Sequence, residues 1–264
     1  MSYIDTNNFS FLVAAGLVPG VSGVNKYGRA TDCDSGVATD IWDRANATDA
    51  QPIWVAPTAA RIHAIVSTSA SDDGSPVGVG ARTLRVYGLQ TWGSAESFED
   101  VVLNGVGPVN TGNSYVIIHR MRVLTCGASG PNVGKITATA AVNGTVTAQI
   151  IAGRGQSQMA IYGVPSTKTL LVHDFYTSVL RANLGATNVA VDIGLLFSTD
   201  VVNQPNIWTV KHTSGVVMLG SSNAVKPFDP LNAIAGPGIL KLQATAGANN
   251  IDMSGGFNGY LRTN

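Results

Sequence analysis

Charge is what this sequence has least of. Its 264 residues carry 16 Lys and Arg against 16 Asp and Glu, 12% in all, and the net charge is zero. That is about half the charged share of an ordinary soluble domain. Without a basic excess the chain lacks the surface that neutralises phosphates in nucleic-acid binding. Without an acidic excess it has no field to draw basic partners. A neutral, weakly charged surface is poorly defended against self-association, which suits a chain that works in an assembly. Cysteine is nearly missing as well: Cys33 and Cys126 lie far apart and form no disulfide framework, so both read as free thiols. The apolar run FLVAAGLVPGV is broken by Gly16, Pro19 and Gly20 and is too short to cross a bilayer. The opening MSYIDTNN has no basic n-region, so the expectation is a chain made in the cytoplasm and not exported by a standard signal.

Catalytic signatures are absent too. There is no GxSxG elbow, HExxH, CxxC pair or phosphate-binding glycine loop. AGRGQSQ (Ala152–Gln158) has closely spaced glycines but no helix after it to receive a phosphate, and reads as a loop between strands. His63, His119, His173 and His212 each sit in a strand-like stretch with no converging partner. His173 and Asp174 are adjacent, but neighbours on a regular strand point to opposite faces. No catalytic, cofactor-binding or metal-ligating set is expected.

What the chain does have is β-pattern. Gly, Pro, Thr, Val, Asn and Ser are abundant and helical periodicity is scarce. Lys135–Ile150 alternates apolar and small or polar residues on either side of Asn143-Gly144, which predicts a β-hairpin closed by a two-residue turn. Further strands are predicted at Arg61–Ser67, Thr83–Leu89, Ser97–Leu103, Ser114–Leu124, Gln158–Val164, Thr169–Val179, Val189–Phe197, Ile207–His212, Gly215–Leu219, Ile239–Ala246 and Gly259–Arg262. Many short strands with turn signals between them predict an all-β fold, an antiparallel sandwich of jelly-roll type spanning 51–264. KPFDPLNAIAGPG reads as a long loop or crossover near 220–238.

Residues 1–50 are different. They show little alternation beyond a short strand at SFLVA (Ser10–Ala14) and read as an extended arm. Four of the aspartates, Asp32, Asp34, Asp40 and Asp43, crowd into Asn25–Arg44. Against the EF-hand spacing, Asp32 and Asp34 fit the first two ligand positions. Gly36, Val37 and Asp43 then fail the fifth, sixth and twelfth. The alternative is a turn-rich arm, with TDIWD starting a helical turn capped by Thr39 or Asp40. Phe9, Phe11, Leu12, Leu17, Ile41 and Trp42 need cover from the sandwich or from a neighbouring subunit. The candidate docking residues are Tyr27, Arg29, Asp32, Asp34, Ile41 and Trp42, with Trp42 as anchor.

Four ordered stretches carry a family likeness: GLVPGVSGVNKYGRATDCDSGVATDIWD, AIVSTSASDDGSPVGVGARTLRVYGL, EDVVLNGVGPVNTGNSYVIIHRM and IIAGRGQSQMAIYGVPSTKTLLV. Together they run from Gly16 to Val172 and resemble virion structural proteins of tailed bacteriophages, marine and cyanobacterial ones above all. The chain departs from that pattern at Cys33 and at Ala38-Thr39-Asp40, where the family has a proline and acidic residues before Ile-Trp. The resemblance implies a non-enzymatic virion protein. The expectation is a trimeric head decoration or cement protein docked on the major capsid protein, without nucleic-acid or membrane contacts; a neck, tail or fibre component is the alternative. A carbohydrate-binding module is a third reading, with Trp54, Trp92 and Trp208 as glycan platforms.

Overall fold

The computed structural model describes residues 8–43, 51–142, 144–181, 189–218 and 221–264. A short helix, α1 (Phe9–Ala14), precedes β1 (Val21–Cys33) and β2 (Ala38–Asp40). Then come β3 (His63–Ser67), β4 (Ala81–Leu89), β5 (Ser97–Val102), β6 (Val109–Asn110), β7 (Ile117–Cys126), β8 (Ile136–Ala140) and β9 (Val146–Ile150). The chain ends with β10 (Ile161–Val164), β11 (Lys168–Arg181), β12 (Val189–Ser198), β13 (Thr209–Met218), β14 (Ser221–Ala235), β15 (Gly238–Ala246) and β16 (Ile251–Thr263).

Two antiparallel sheets make a first sandwich. One has the order β1-β16-β11-β14. In the other, β15-β12-β13 is completed by β2 and β10, which lie end to end along the same edge of β15. The pairs nest: β1 with β16 and β2 with β15, then β11 with β14 and β12 with β13. A second antiparallel sandwich, β6-β3-β8-β9 over β5-β4-β7, is inserted in the chain between β2 and β10. An all-β, antiparallel sandwich architecture is therefore what the structure has.

Each sandwich closes over its own core. Val24, Leu170, Phe175, Ile193, Leu240 and Phe257 lie in the first. Ile65, Leu84, Ile117, Met121, Ile136 and Ile150 lie in the second. Each such side chain contributes roughly 1.5–3 kcal/mol on burial. The second core also takes Ile161 from β10 and Ile239 from β15, while their neighbours Tyr162 and Leu240 face the first. These strands are walls shared by both cores, so IYGV and GILKL are buried throughout instead of alternating. Gly163 lets the layers approach: a Cβ there would sit 2.8 Å from Ile117 Cγ2.

Several expectations for the opening segment need correction. SFLVA is helical, not a strand, because the Asn8 side chain accepts the Phe11 N–H at 3.0 Å and caps the turn. Residues 21–33 form no extended arm. β1 pairs with β16 from Val21↔Arg262 to Cys33↔Ile251, with one irregularity after Ala30. TDIWD starts no helical turn, since Ala38–Asp40 joins the edge of β15. A division at residue 50 does not follow the cores, because β1 and β2 belong to the first sandwich. The stretch near 220–238 is no loop. β14 runs through it, and its prolines, Pro227 and Pro230, are tolerated because this is an edge strand.

The hairpin forms, with a wider turn than expected. β8 pairs with β9, but the Ala140 N–H donates to the Thr145 carbonyl at 2.8 Å, so the described residues Ala141, Val142 and Gly144 lie outside the ladder. Asn143 lies outside the described residues. The register slips at Thr147, which is bulged, and its carbonyl takes the Trp54 indole N–H at 2.7 Å. Gly144 keeps the positive φ (64°) expected of a turn glycine.

Candidate functional site

The distinctive chemistry lies on the seam where the inserted sandwich leaves and rejoins its host. Ile41 ends one half of the split edge strand and Ala160 begins the other. The Ala160 N–H donates to the Ile41 carbonyl at 2.7 Å. Leu242 of β15 bonds to both, accepting from Ile41 at 3.0 Å and donating to Ala160 at 3.1 Å. Trp42 bridges Met159 in the next step. Asp43 completes the crossing from a positive φ of 74°. Its N–H donates to the Arg29 carbonyl at 2.6 Å, and its carboxylate accepts the Ile151 and Gln158 N–H groups at 3.2 and 3.3 Å. Burial pushes this carboxyl up to about 6, against those two hydrogen bonds.

An ion pair is sealed beside the crossing. Lys241 Nζ lies 2.6 Å from Asp40 Oδ2, with both side chains fully buried. Asp40 also accepts from the Trp54 N–H at 2.8 Å and Gln243 Nε2 at 2.9 Å. The Lys241 ammonium sits 4.0 Å from the centre of the Trp208 ring. Burial drives Asp40 up and Lys241 down, toward their neutral forms, and their mutual attraction opposes both. The pair faces the insertion from the shared wall and ties β2 to β15 where the chain departs.

At another point of the seam is a cavity of about 490 Å³, lined by β1 residues from Ser22 to Tyr27 and by Glu96, His119, Arg120, Ser157, Tyr162 and Leu261. Its geometry comes from a bulge. Tyr87 pairs with Arg120 and Gly88 with Ile118, so His119 is the extra residue of β7. Its carbonyl accepts a hydrogen bond from Lys26 of β1. Its imidazole Nε2 lies 2.6 Å from Glu96 Oε2, and its ring is 4.9 Å from that of Tyr162. Burial lowers Lys26 to about 7; the charge of Glu96 resists this and that of Arg120 adds to it. Burial also lowers His119, against Glu96. Burial works to raise Glu96, but the His119 hydrogen bond and the charges of His119, Lys26 and Arg120 hold it below its ordinary value. Sequence reading missed all three groups. Lys26 and His119 are 93 positions apart, and no alternation pattern announces a bulge.

Of the expected docking residues, Tyr27, Arg29, Asp32, Ile41 and Trp42 lie along this seam, while Asp34 lies in the turn after β1. Ile41 and Trp42 are 2% and 1% exposed, covered by the two cores of their own chain, so neither is available as an anchor for a partner. Tyr27 lines the cavity. Arg29 pairs with Asp252 at 3.0 Å, and Asp252 also accepts the Asp32 N–H at 3.0 Å. Asp34 shapes a turn, its carbonyl accepting the Val37 N–H at 3.2 Å. Asp32, Asp43 and Asp252 line one pocket with Arg29 and Arg154, but among the described residues no group of three acidic, His or Cys side chains is placed to hold a metal ion. Trp54 is buried, and Trp92 and Trp208 are partly buried against the second core. Cys33 is buried and Cys126 exposed, and they are not bonded to each other.

The histidines also differ from expectation. His173 is the irregular residue between Val172 and Asp174, so its Nδ1 does reach the Asp174 carboxylate, at 2.6 Å. His212 packs against the Phe175 and Phe228 rings. His63 is buried with Nδ1 3.0 Å from the Arg61 carbonyl, and burial lowers it to about 4. The unfolded chain therefore takes up a proton near pH 6.5 that the folded chain refuses until about 4. Stability should fall as pH drops through that window. His63→Gln is expected to flatten the slope of melting temperature against pH between 6.5 and 4; an unchanged slope would remove His63 as its source.

No protein-family model matches the chain, and no curated protein does. Among solved structures, infectious bursal disease virus, Gt strain, aligns at 10% identity over 92% of this chain and 74% of that one, with a TM-score of 0.19. T=1 particles derived from the same virus align at 11% identity over 92% and 70%, with a TM-score of 0.17. Scores of this size describe no common fold, and identity at this level carries no function.

Proposed function

We propose that the chain is a non-enzymatic structural protein of a bacteriophage virion, and that within the particle it is a head decoration or cement protein. The observation that carries this reading is the strand nesting of the first sandwich. Its sheets, β1-β16-β11-β14 and β2-β15-β12-β13, follow the order of a long hairpin rolled into two interlocked Greek keys. We read this as a jelly roll, an architecture found in viral capsid and lectin domains. Architecture alone does not choose between those roles. The ordered likeness of Gly16–Val172 to tailed-phage virion proteins supports the first. The full burial of Trp54 and the packing of Trp92 and Trp208 against the second core count against the second. The acidic side chains on the seam are engaged in structural hydrogen bonds and ion pairs, as a scaffold requires.

In this reading the partner is the major capsid protein, the working form is a homotrimer, and the location is the virion. The test is mass spectrometry of gradient-purified phage particles, followed by a density map of the particle. Many copies on the head surface are expected. Copies confined to the neck or tail would replace the cement role by the tail-associated one. Absence from purified particles would overturn the virion reading.

A further inference from the structure

Lys26 is an amine in an unusual position. It is 9% exposed on β1 and forms no ion pair among the described residues. The structure gives its Nζ the bulged carbonyl of His119 as hydrogen-bond acceptor. The charge of Glu96 favours the ammonium, but the Glu96 carboxylate is engaged by His119 Nε2. Arg120, on the same strand as His119, adds a competing positive charge. A buried ammonium without a counter-ion sheds its proton more readily than it stays charged. Tyr162 faces the site from β10 and Tyr27 from β1. Buried Lys241 differs: a carboxylate 2.6 Å away holds it.

The same amine lines a cavity of about 490 Å³, within the size range of small-molecule sites. A buried lysine on the wall of a cavity, its charged form disfavoured by burial, is the arrangement used for addition to carbonyl groups. We propose that Lys26 is a covalent modification site for small aldehydes that enter the seam cavity. Nζ adds to the carbonyl carbon, and a C–N bond forms as the carbonyl π pair moves to oxygen. The carbinolamine then loses water to give an imine. Both protons leaving nitrogen depart with the former carbonyl oxygen, so no oxidant or reductant is needed. The tyrosine side chains on the cavity wall favour a flat, aromatic aldehyde. This proposal is independent of the virion reading, since it concerns only what the cavity admits.

The experiment is competitive labelling of the intact, folded chain. Benzaldehyde and sodium cyanoborohydride at pH 7 trap each imine as a stable benzylamine, and peptide mapping gives the rate at each lysine. Lys26 is expected to react about tenfold or more faster than exposed Lys226, because an ordinary lysine is almost wholly protonated at that pH. Its rate should level off above pH 7 to 8 while that of Lys226 still climbs at pH 9. Lys26→Arg should abolish the fast label and Lys226→Arg should leave it intact. If Lys26→Arg does not fold, the comparison within the unaltered protein still decides. Lys26 reacting no faster than Lys226, or reacting only after urea unfolds the chain, would overturn the proposal.

Discussion

Replacing Asp40 by alanine is expected to cost about 3–5 kcal/mol of folding stability, read as a lower urea midpoint at unchanged slope. The loss comes less from the missing attraction than from what is left behind. Lys241 would remain fully buried with no counter-ion, against the Trp208 ring. The Trp54 N–H and the Gln243 amide would also lose their acceptor. The double replacement Asp40→Leu with Lys241→Met should recover much of the loss, since a well-packed apolar pair often equals a buried ion pair. A cost below about 1 kcal/mol in the single variant would show that water or another group reaches Lys241 and that the pair does not pin the seam.

Deleting residues 1–44 should leave a chain that does not fold. The deletion removes β1, whose pairing with β16 runs the length of that strand, and β2, which carries Asp40. It also takes Ile41 and Trp42 out of the two cores. Trp42→Ala alone should cost about 3–5 kcal/mol, as large-to-small changes of buried aromatics do. Loss of near-ultraviolet circular dichroism and of a cooperative thermal transition in the truncated chain is the expected result. A truncated chain that melts cooperatively near the full-length temperature would restore the docking-arm reading of this segment.

Much of the fold was legible because most strands keep one covered and one wetter face. β3 (His63–Ser67) and β12 (Val189–Ser198) read correctly from alternation alone. The opening fifty residues did not, and the reason is partner distance. β1 is rich in glycine and small polar residues, and its ladder partner lies at the opposite end of the chain. Without that partner in view, the stretch looks like loop. β14 hid behind Pro227 and Pro230, which mark loops in most contexts but fit an edge strand. The helix at Phe9 was legible in principle from Asn8, an N-cap residue placed before an apolar run. The seam cluster was not. Lys26 and His119 come from β1 and β7 and Glu96 from the loop before β5, and the bulge that turns His119 has no signature in spacing.

The split edge strand has a mechanical consequence. A domain inserted in a loop hangs from two separate tethers, and each can swing. Here the outgoing and returning chains are bonded to each other at Ile41 and Ala160 and to Leu242 between them. Trp42 and Met159 extend that contact toward the second core. The two crossings therefore behave as one short, stiff stem. A load on the inserted sandwich is shared by both chains and passes directly into β15, at the centre of the host. In the proposed cement role, that route would spread strain over a whole sheet before any single hydrogen bond had to bear it.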